Sequence, residues 1–193
     1  MVAGIVLAGG RATRMGGGDK ALRPLGGQPV LAHVIARLAP QVQALALSAN
    51  GDPARFAAFG LPVLADSLPG FPGPLAGVLA GLDWAAGRGE SALVSVAGDT
   101  PFLPPDLVAR LQAAGSVALA ASPAGGQMRR HPTVALWPVA LREALRAALA
   151  RGEHKVGRFL AEHGARAAEF AAPPDPFFNI NTPEDLARAQ SLL

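Results

Sequence analysis

A glycine-rich loop carrying basic residues follows the first apolar run of the sequence. The segment VAGIVLAGGRATRMGGGDKAL passes from an apolar stretch to a glycine pair, two arginines, three further glycines and Lys20. Glycine lets backbone N–H groups crowd around an anion, and Arg14 and Lys20 can neutralise phosphates held by those amides. The loop therefore predicts a nucleotide-phosphate site. The alternative is a glycine turn whose basic side chains are merely solvated.

Two common phosphate-binding loops do not match this segment. A P-loop requires Gly-Lys-Ser/Thr, whereas Asp19 precedes Lys20 and Ala21 follows it. The dinucleotide fingerprint is matched only loosely and too far past the strand, and the second predicted strand ends in Asn50 rather than in an acidic residue. The loop thus disfavours both a Walker-type NTPase and a Rossmann oxidoreductase.

Polar residues and glycines also stand where the predicted strands end. In open α/β sheets, ligands bind beyond the carboxyl ends of the strands, near the point where the strand order reverses. The residues at these ends are Gly9 and Gly10 after the first strand, Asn50 after the second, Asp66 after the third and Asp99 after the fourth. We expect a ligand site to be built from them.

Asp99 is the candidate metal ligand. It ends the apolar run SALVSVAGD, and a carboxylate at such a strand end can hold Mg²⁺ together with substrate phosphates. The alternative is an Asx turn or a helix cap, but the next helix is expected near Pro104, too far away for simple capping. Asp66 has two interpretations: it accepts hydrogen bonds from a ribose or base, or it caps a loop.

Glycines recur every four residues in the segment GPLAGVLAG, at Gly73, Gly77 and Gly81. Pro74 can begin a helix there, so the glycines form a smooth stripe on one helix face. Gly77 and Gly81 are expected to pack the helix against the sheet, whereas Gly73 at the helix start can face a ligand.

Basic side chains in the second half of the chain are further candidates for binding an anion. Arg129, Arg130 and His131 stand at the predicted entry to a strand, where they either bind phosphate or form an exposed basic loop. Lys155 and Arg158 fall in the first turns of a predicted helix, where the helix dipole disfavours cations. That placement favours a ligand near them.

The segment FFNINTPEDL combines two amide side chains with the start of a helix. Asn179 and Asn181 share one face of an extended stretch and can orient a polar substrate. Thr182 is expected to be the N-cap of the last helix, with Pro183 at its first position. Thr182 and Glu184 are therefore assigned to helix-start chemistry rather than to catalysis.

Apolar runs alternate with helical patterns along the chain, which predicts an α/β fold with a mostly parallel, Rossmann-like sheet and helices on both faces. Strands are expected in AGIVLA, VQALALS, LPVLA, SALVSVAG, SVALAAS, HPTVALW and ARAAEFAA. The segments SPAGGQMRRHP and AAPPDP are expected to be loops. With 193 residues, half of them apolar, we expect residues 1–193 to form a single domain with a sizeable core.

Composition excludes several classes of protein. The chain has no cysteine, and its four histidines are too scattered to suggest a metal cluster. A net charge of +3 with 5% aromatic residues predicts no nucleic-acid partner. No basic leader is recognisable, and no apolar run reaches the ~20 residues that span a bilayer, so no membrane association and a soluble cytoplasmic protein are expected.

Five segments, in their order along the chain, resemble the molybdenum cofactor guanylyltransferases, the MobA-type members of the nucleotidyltransferase superfamily. They are LAGGRATRMGGGDKAL, GPLAG, AGDTPFLP, HPTVALW and FFNINTPEDL. The match runs from the first strand to the last helix. The opening loop is typical of the whole superfamily, whereas its combination with the Asp99 and Asn181 segments is more specific.

The resemblance implies a three-layer fold like that of nucleotide-diphospho-sugar transferases. It also implies transfer of GMP from Mg-GTP to the terminal phosphate of Mo-molybdopterin, which forms the guanine dinucleotide cofactor and pyrophosphate. The segments LAGG and GPLAG are similar to the guanylyl versions of the family's base-selecting stretches, so GTP is favoured over CTP. Proteins that deliver or receive the molybdenum cofactor are the implied partners.

The resemblance also implies roles for individual residues. Lys20 would contact the phosphates, Asp99 would hold Mg²⁺, and Arg14 is an additional phosphate candidate. The nucleotide would be contacted by Leu7, Ala8 and Gly9 through the backbone, and by Asn50 and Asp66 at the nucleoside. Gly10 at the strand end and Gly73 at the helix start are added as nucleotide contacts because of their positions. The pterin side would involve Arg130, His131, Asn179 and Asn181.

Two other functions stay open at this point. A related nucleotidyltransferase would use CTP or another phosphate acceptor, such as a sugar phosphate. A nucleotide-sensing module would keep the loop without catalysis, although the presence of both Lys20 and Asp99 argues against it.

Overall fold

The computed structural model describes residues 1–9, 19–66, 73–171 and 173–193. Its strands are β1 (Val2–Leu7), β2 (Pro24–Leu25), β3 (Gln28–Pro29), β4 (Ala44–Ser48), β5 (Val63–Leu64), β6 (Ala92–Ala97), β7 (Ala118–Ala124), β8 (Gln127–Pro138) and β9 (Arg166–Glu169). Its α-helices are α1 (Val30–Leu38), α2 (Pro74–Gly87), α3 (Leu107–Ala114), α4 (Arg142–Ala150), α5 (Val156–Glu162) and α6 (Pro183–Gln190). Short 3-10 helices are Lys20–Leu22, Ala39–Gln41, Pro53–Phe59 and Val139–Leu141.

One mixed sheet joins most of these strands in the order β5-β4-β1-β6-β8-β7-β9. The strands β5, β4, β1 and β6 are parallel, β8 is antiparallel to both neighbours, and β9 is parallel to β7. The predicted three-layer α/β fold with a mostly parallel sheet is confirmed. The chain extends the sheet from β1 to β4 and β5 on one side and then to β6 on the other, so the strand order reverses at β1.

The two faces of the sheet bury two separate hydrophobic clusters. Side chains of a strand alternate between faces, so Val2 and Val6 of β1 enter one cluster while Ala3 and Ile5 enter the other. Helices α1 and α3 supply residues to the first cluster, and α2, α4 and α5 supply the second. This double coverage explains why β1 is apolar along its whole length.

Helix α2 lies very close to the sheet because of its glycines. A Cβ atom at Gly77 would lie 2.4 Å from Ser48 Oγ, and one at Gly81 would lie 2.9 Å from a methyl group of Leu93. The predicted packing role of these two glycines is confirmed. Gly73 is the N-cap of α2 at φ +138°, and a Cβ there would meet none of the described residues within 4 Å.

The segment SPAGGQMRRHP is a β-hairpin, so its prediction as a loop is wrong. Gly125 and Gly126 have φ values of +59° and +80°, and they form the two-residue turn between β7 and β8. The basic residues therefore pair with β7: Arg129 lies opposite Ser122, and Arg130 lies opposite Ala121. A two-glycine turn suits the twist of the flanking strands, which is the signal that the loop prediction overlooked.

None of the helices in the described part of the chain combines the length and the apolar character that crossing a membrane requires.

Candidate active site

The carboxyl ends of β1, β4 and β6 form one tightly packed edge. The Ala8 N–H donates to Ser48 O at 2.9 Å, and the Gly98 N–H donates to Leu7 O at 3.0 Å. A Cβ atom at Gly98 would lie 3.1 Å from that same Leu7 oxygen, so glycine favours the close approach of these two strand ends. Ala8 is buried and Gly9 is exposed at this edge. Gly10 and Arg14 lie outside the described residues.

Lys20, Asp99 and Asn181 meet beyond this edge although they are far apart in the sequence. Lys20 Nζ donates to Asn181 Oδ1 at 2.5 Å and lies 3.7 Å from Asp99 Oδ2. Asn179 Nδ2 donates to the other Asp99 oxygen, Oδ1, at 3.1 Å. The backbone completes the contact, because the Ile180 N–H donates to Asp99 O at 3.0 Å. The structure thus brings four of the predicted site residues into one cluster.

Burial raises the pKa of the Asp99 carboxyl above its usual range, and the positive charge of Lys20 opposes that shift. The Asp99 and Lys20 side chains are only 19% and 20% exposed, so water screens their interaction weakly. Helix α3 begins at Leu107 with Asp106 as its N-cap, so the helix-cap alternative for Asp99 is wrong.

The segment that carries Asn179 and Asn181 is held at both ends. At its start, Asp175 Oδ1 accepts hydrogen bonds from Ser122 Oγ and from the Phe177 N–H, both at 3.1 Å. At its end, Asp185 Oδ2 accepts from the N–H groups of Asn181 at 2.9 Å and of Thr182 at 3.0 Å. Sequence analysis missed both carboxylates.

The last helix starts as predicted. Thr182 is its N-cap and Pro183 its first residue, and the Thr182 side chain accepts from the Asp185 N–H. The Asp185 carboxylate completes a capping box. The spacing Thr-x-x-Asp was the available signal for Asp185.

Asn50 and Asp66 form a two-point contact across the ends of β4 and β5. Asn50 Nδ2 donates to Asp66 Oδ2 at 2.6 Å, and the Asp66 N–H donates to Asn50 Oδ1 at 3.0 Å. Arg55, which sequence analysis missed, donates from Nη2 to Asn50 O at 2.6 Å. Its Nε also lies 2.6 Å from Asp19 Oδ2 in an ion pair. No spacing pattern in the sequence predicts an ion pair between residues 19 and 55.

His131 lies inside the molecule at 7% exposure. Ser122 Oγ donates to Asp175 and lies 2.9 Å from His131 Nε2, so the histidine donates to the serine oxygen. The His131 and Phe177 rings are 4.7 Å apart. Burial lowers the pKa of His131, opposed by the charge of Asp175 and reinforced by that of Arg129.

Arg130 is exposed, and adjacent residues of a strand point to opposite faces, so Arg130 and His131 do not share one surface. The expected basic entry loop is therefore corrected to two strand residues with different surroundings. The reason is that both residues lie in β8 of the hairpin, where consecutive side chains point to opposite faces of the sheet.

Arg158 has acidic partners within the protein. Its Nε lies 2.9 Å from Glu162 Oε1 and 3.3 Å from Glu153 Oε2. Lys155 is the N-cap of α5, and its N–H donates to Glu153 Oε1 at 2.7 Å. The placement of Arg158 at a helix start therefore needs no ligand to explain it.

The described residues contain no group of three His, Cys, Asp or Glu side chains that could hold a metal ion. Asp99 at the strand end is a hard oxygen donor beside the space expected to hold phosphates, and Mg²⁺ readily takes most of its ligands from phosphates and water. The donor set fits Mg²⁺ carried by a nucleotide.

Comparison with known proteins identifies the family of this chain. A family model described as the MobA-like NTP transferase domain matches residues 4–167. A molybdenum cofactor guanylyltransferase from Mesorhizobium japonicum is 57% identical over a 203-residue alignment that covers 100% of this chain and 96% of the relative. One from Cereibacter sphaeroides is 57% identical, with 98% of this chain and 96% of the relative covered.

Solved structures show the same fold at lower identity. Molybdopterin-guanine dinucleotide biosynthesis protein A from Archaeoglobus fulgidus has a TM-score of 0.72 and 24% identity, covering 98% of this chain and 97% of that one. 4-Diphosphocytidyl-2C-methyl-D-erythritol synthase from Anaerococcus prevotii has a TM-score of 0.76 and 13% identity, covering 100% and 95%. Because the family model spans most of the sequence and relatives sharing more than half of its residues align along its length, this chain belongs to the MobA-like NTP transferase family.

Proposed function

We propose that this chain is a molybdenum cofactor guanylyltransferase, which transfers GMP from GTP to the terminal phosphate of Mo-molybdopterin. Full-length relatives at 57% identity bear that name. The observation that carries the proposal is the cluster of Lys20, Asp99 and Asn181 beyond the strand ends, where a cation, a carboxylate and an amide meet.

The proposed reaction needs no protein nucleophile. A terminal phosphate oxygen of Mo-molybdopterin attacks the α-phosphorus of GTP and forms the new P–O bond. The bond from the α-phosphorus to the oxygen bridging it to the β-phosphate breaks, and its electron pair leaves with pyrophosphate. The protein therefore acts by holding two anions together and by neutralising charge on the leaving group.

The described residues suit the nucleotide half of this task. Lys20 is the cation at the exit of the glycine loop, and we assign it to the phosphates together with Arg14. The backbone at Leu7, Ala8, Gly9 and Gly10 would contact the nucleotide. Asn50 and Asp66 would orient the nucleoside, and the described residues leave room for it beside Gly73 at the start of α2.

Mg²⁺ would be held by Asp99 together with the phosphates of GTP. When bound, the ion supplies positive charge that stabilises the pentavalent transition state and the departing pyrophosphate. Asn179 and Lys20 fix the orientation of the Asp99 carboxylate. Burial raises the pKa of this carboxyl and the charge of Lys20 opposes that shift, so Lys20 favours the ionised form that would bind metal.

The acceptor half of the proposal is assigned to the other side of the same cluster. Asn179 and Asn181 would orient the pterin, with Arg130 near its phosphate and His131 acting from within the core. We further propose that residues 1–193 act as one domain in the cytoplasm and exchange the cofactor with proteins that deliver or receive it.

The direct test is incubation of the purified chain with Mo-molybdopterin and either Mg-GTP or Mg-CTP. We expect the guanine dinucleotide and one pyrophosphate per product with GTP, and much less product with CTP. An equal or larger yield with CTP would contradict the guanylyl assignment. Tight nucleotide binding with no product from either would favour the sensing module.

A further inference from the structure

Arg55 connects three segments around the nucleotide side of the site. It belongs to the 3-10 helix Pro53–Phe59, which follows β4. Its Nη2 donates to Asn50 O at 2.6 Å, and its Nη1 donates to Asp52 O at 2.9 Å. The guanidinium carbon lies 4.7 Å above the centre of the Phe56 ring, and Phe56 is fully buried. The planar group is thus fixed on both its edge and its face.

The remaining edge of Arg55 faces Asp19. Arg55 Nε lies 2.6 Å from Asp19 Oδ2, but the N–H is not aligned with an acceptor, so this contact is an ion pair rather than a hydrogen bond. The two side chains are 27% and 18% exposed, which limits screening by solvent. Asp19 directly precedes Lys20, so its negative charge stands next to the residue assigned to the phosphates.

We infer that Arg55 is a positioning residue for the nucleotide. It neutralises Asp19, whose carboxylate would otherwise repel the triphosphate beside Lys20. This inference rests on the proposed use of GTP and adds a residue that does not itself touch the substrate.

The test compares GTP affinity and steady-state kinetics for Arg55→Gln, Asp19→Asn and the double variant. Arg55→Gln leaves Asp19 uncompensated, so the Kd and the KM for GTP should rise about tenfold, with kcat at saturating GTP changed by less than about twofold. Asp19→Asn removes the repelling charge, so the double variant should recover to within about threefold of the parent Kd.

Arg88→Gln is the matched control, because Arg88 also stacks over an aromatic ring, Trp84, at 5.2 Å but lies at the end of α2 away from the site. It should keep the parent's Kd and KM. Thermal unfolding of every variant shows whether a change in GTP affinity is accompanied by a loss of stability. If Arg55→Gln does not fold, Arg55→Lys and Asp19→Asn replace it in the test. Arg55→Lys should keep most of the affinity for GTP, and the Kd of Asp19→Asn for GTP should be within about threefold of the parent value.

Two results would overturn the inference. Parent-like Kd and KM in Arg55→Gln would show that the residue does not act on the nucleotide. A double variant as weak as Arg55→Gln would show that Asp19 is not the charge being neutralised. A parent protein that neither binds GTP nor forms product would instead refute the proposed function, and the inference with it.

Discussion

Two buried titratable groups are shifted toward their neutral forms. Burial raises the pKa of Asp99, and it lowers the pKa of His131. Each has a partner of opposite charge that opposes the shift: Lys20 lies 3.7 Å from Asp99, and Asp175 reaches His131 through Ser122. At Asp99 the partner favours the charged form that the proposed metal binding would use, whereas His131 serves the core as a neutral donor.

The lowered pKa of His131 predicts a pH-dependent stability. Between the folded pKa and the unfolded value of about 6.5, the unfolded chain binds more protons, so the free energy of unfolding rises with pH. Stability is therefore fully present above that unfolded value and is lost as pH falls toward the folded pKa. Urea unfolding at pH 7.5 and 5.5 should show a smaller difference for His131→Gln than for the parent. The exposed His154→Gln is the control; a parent-like difference in His131→Gln would contradict the prediction.

At the scale of elements, the first turns of α2 and α6 fix the position of the backbone around the site. Helix α2 approaches the ends of β1 and β4 through Gly77, beside Leu7 and Ser48. Helix α6 begins directly after Asn181, and its capping box fixes the backbone on which that amide stands. Both helices thus act on the site through close packing and capping.

Substitution of Gly77 by alanine should destabilise the protein. The new Cβ would lie 2.4 Å from Ser48 Oγ and 3.0 Å from a Leu7 methyl group, so these side chains or α2 itself must shift. The expected loss in the free energy of unfolding is about 1–3 kcal/mol. Gly87→Ala is the matched control in the same helix, since its Cβ would meet no atom of the described part of the chain within 4 Å, and it should change stability by less than about 1 kcal/mol. Equal effects at both positions in urea unfolding would contradict this packing argument.

Removal of the Asp185 carboxylate should affect both stability and turnover. Asp185→Ala removes the acceptor for the Asn181 and Thr182 N–H groups, at a cost of about 1–2 kcal/mol of stability. Because Asn181 also accepts from Lys20, turnover should fall at temperatures where the variant is fully folded. Glu184→Ala, an exposed change in the same turn, should leave turnover unaltered. Parent-like turnover in Asp185→Ala would show that the cap does not position Asn181.

At the scale of the whole molecule, the parallel sheet explains what the sequence could predict. Strands that run in parallel end at the same edge, so Asp99 and Asn50 were predictable as neighbours of one crevice from the runs that precede them. The alternation of apolar runs with helical patterns predicted the α/β fold, because that order is typical of parallel strands joined by helices. Lys20 was predictable as a candidate site residue, because it follows a glycine-rich loop.

Contacts between distant segments could not be predicted from spacing. The Asp19–Arg55 ion pair joins residues with no shared pattern, and the burial of His131 depends on Phe177 and Asp175, which arrive from the end of the chain. The hairpin was missed because its strands near the turn are exposed and lack clear apolar alternation. These contacts form by tertiary packing between distant segments, so a local sequence pattern does not predict them.

We have proposed that nucleotidyl transfer takes place at the crevice where Lys20, Asp99 and Asn181 meet, with Asp99 as the metal ligand. The most direct test is turnover of Mg-GTP and Mo-molybdopterin by Asp99→Asn across a Mg²⁺ titration, beside Asp106→Asn as a control at the N-cap of α3. Asparagine keeps the shape of the side chain and removes its charge. We predict a loss of about a hundredfold or more in kcat for Asp99→Asn, with folding little changed, and parent-like turnover for Asp106→Asn. Near-parent turnover of Asp99→Asn at ordinary Mg²⁺ concentration would contradict the claim.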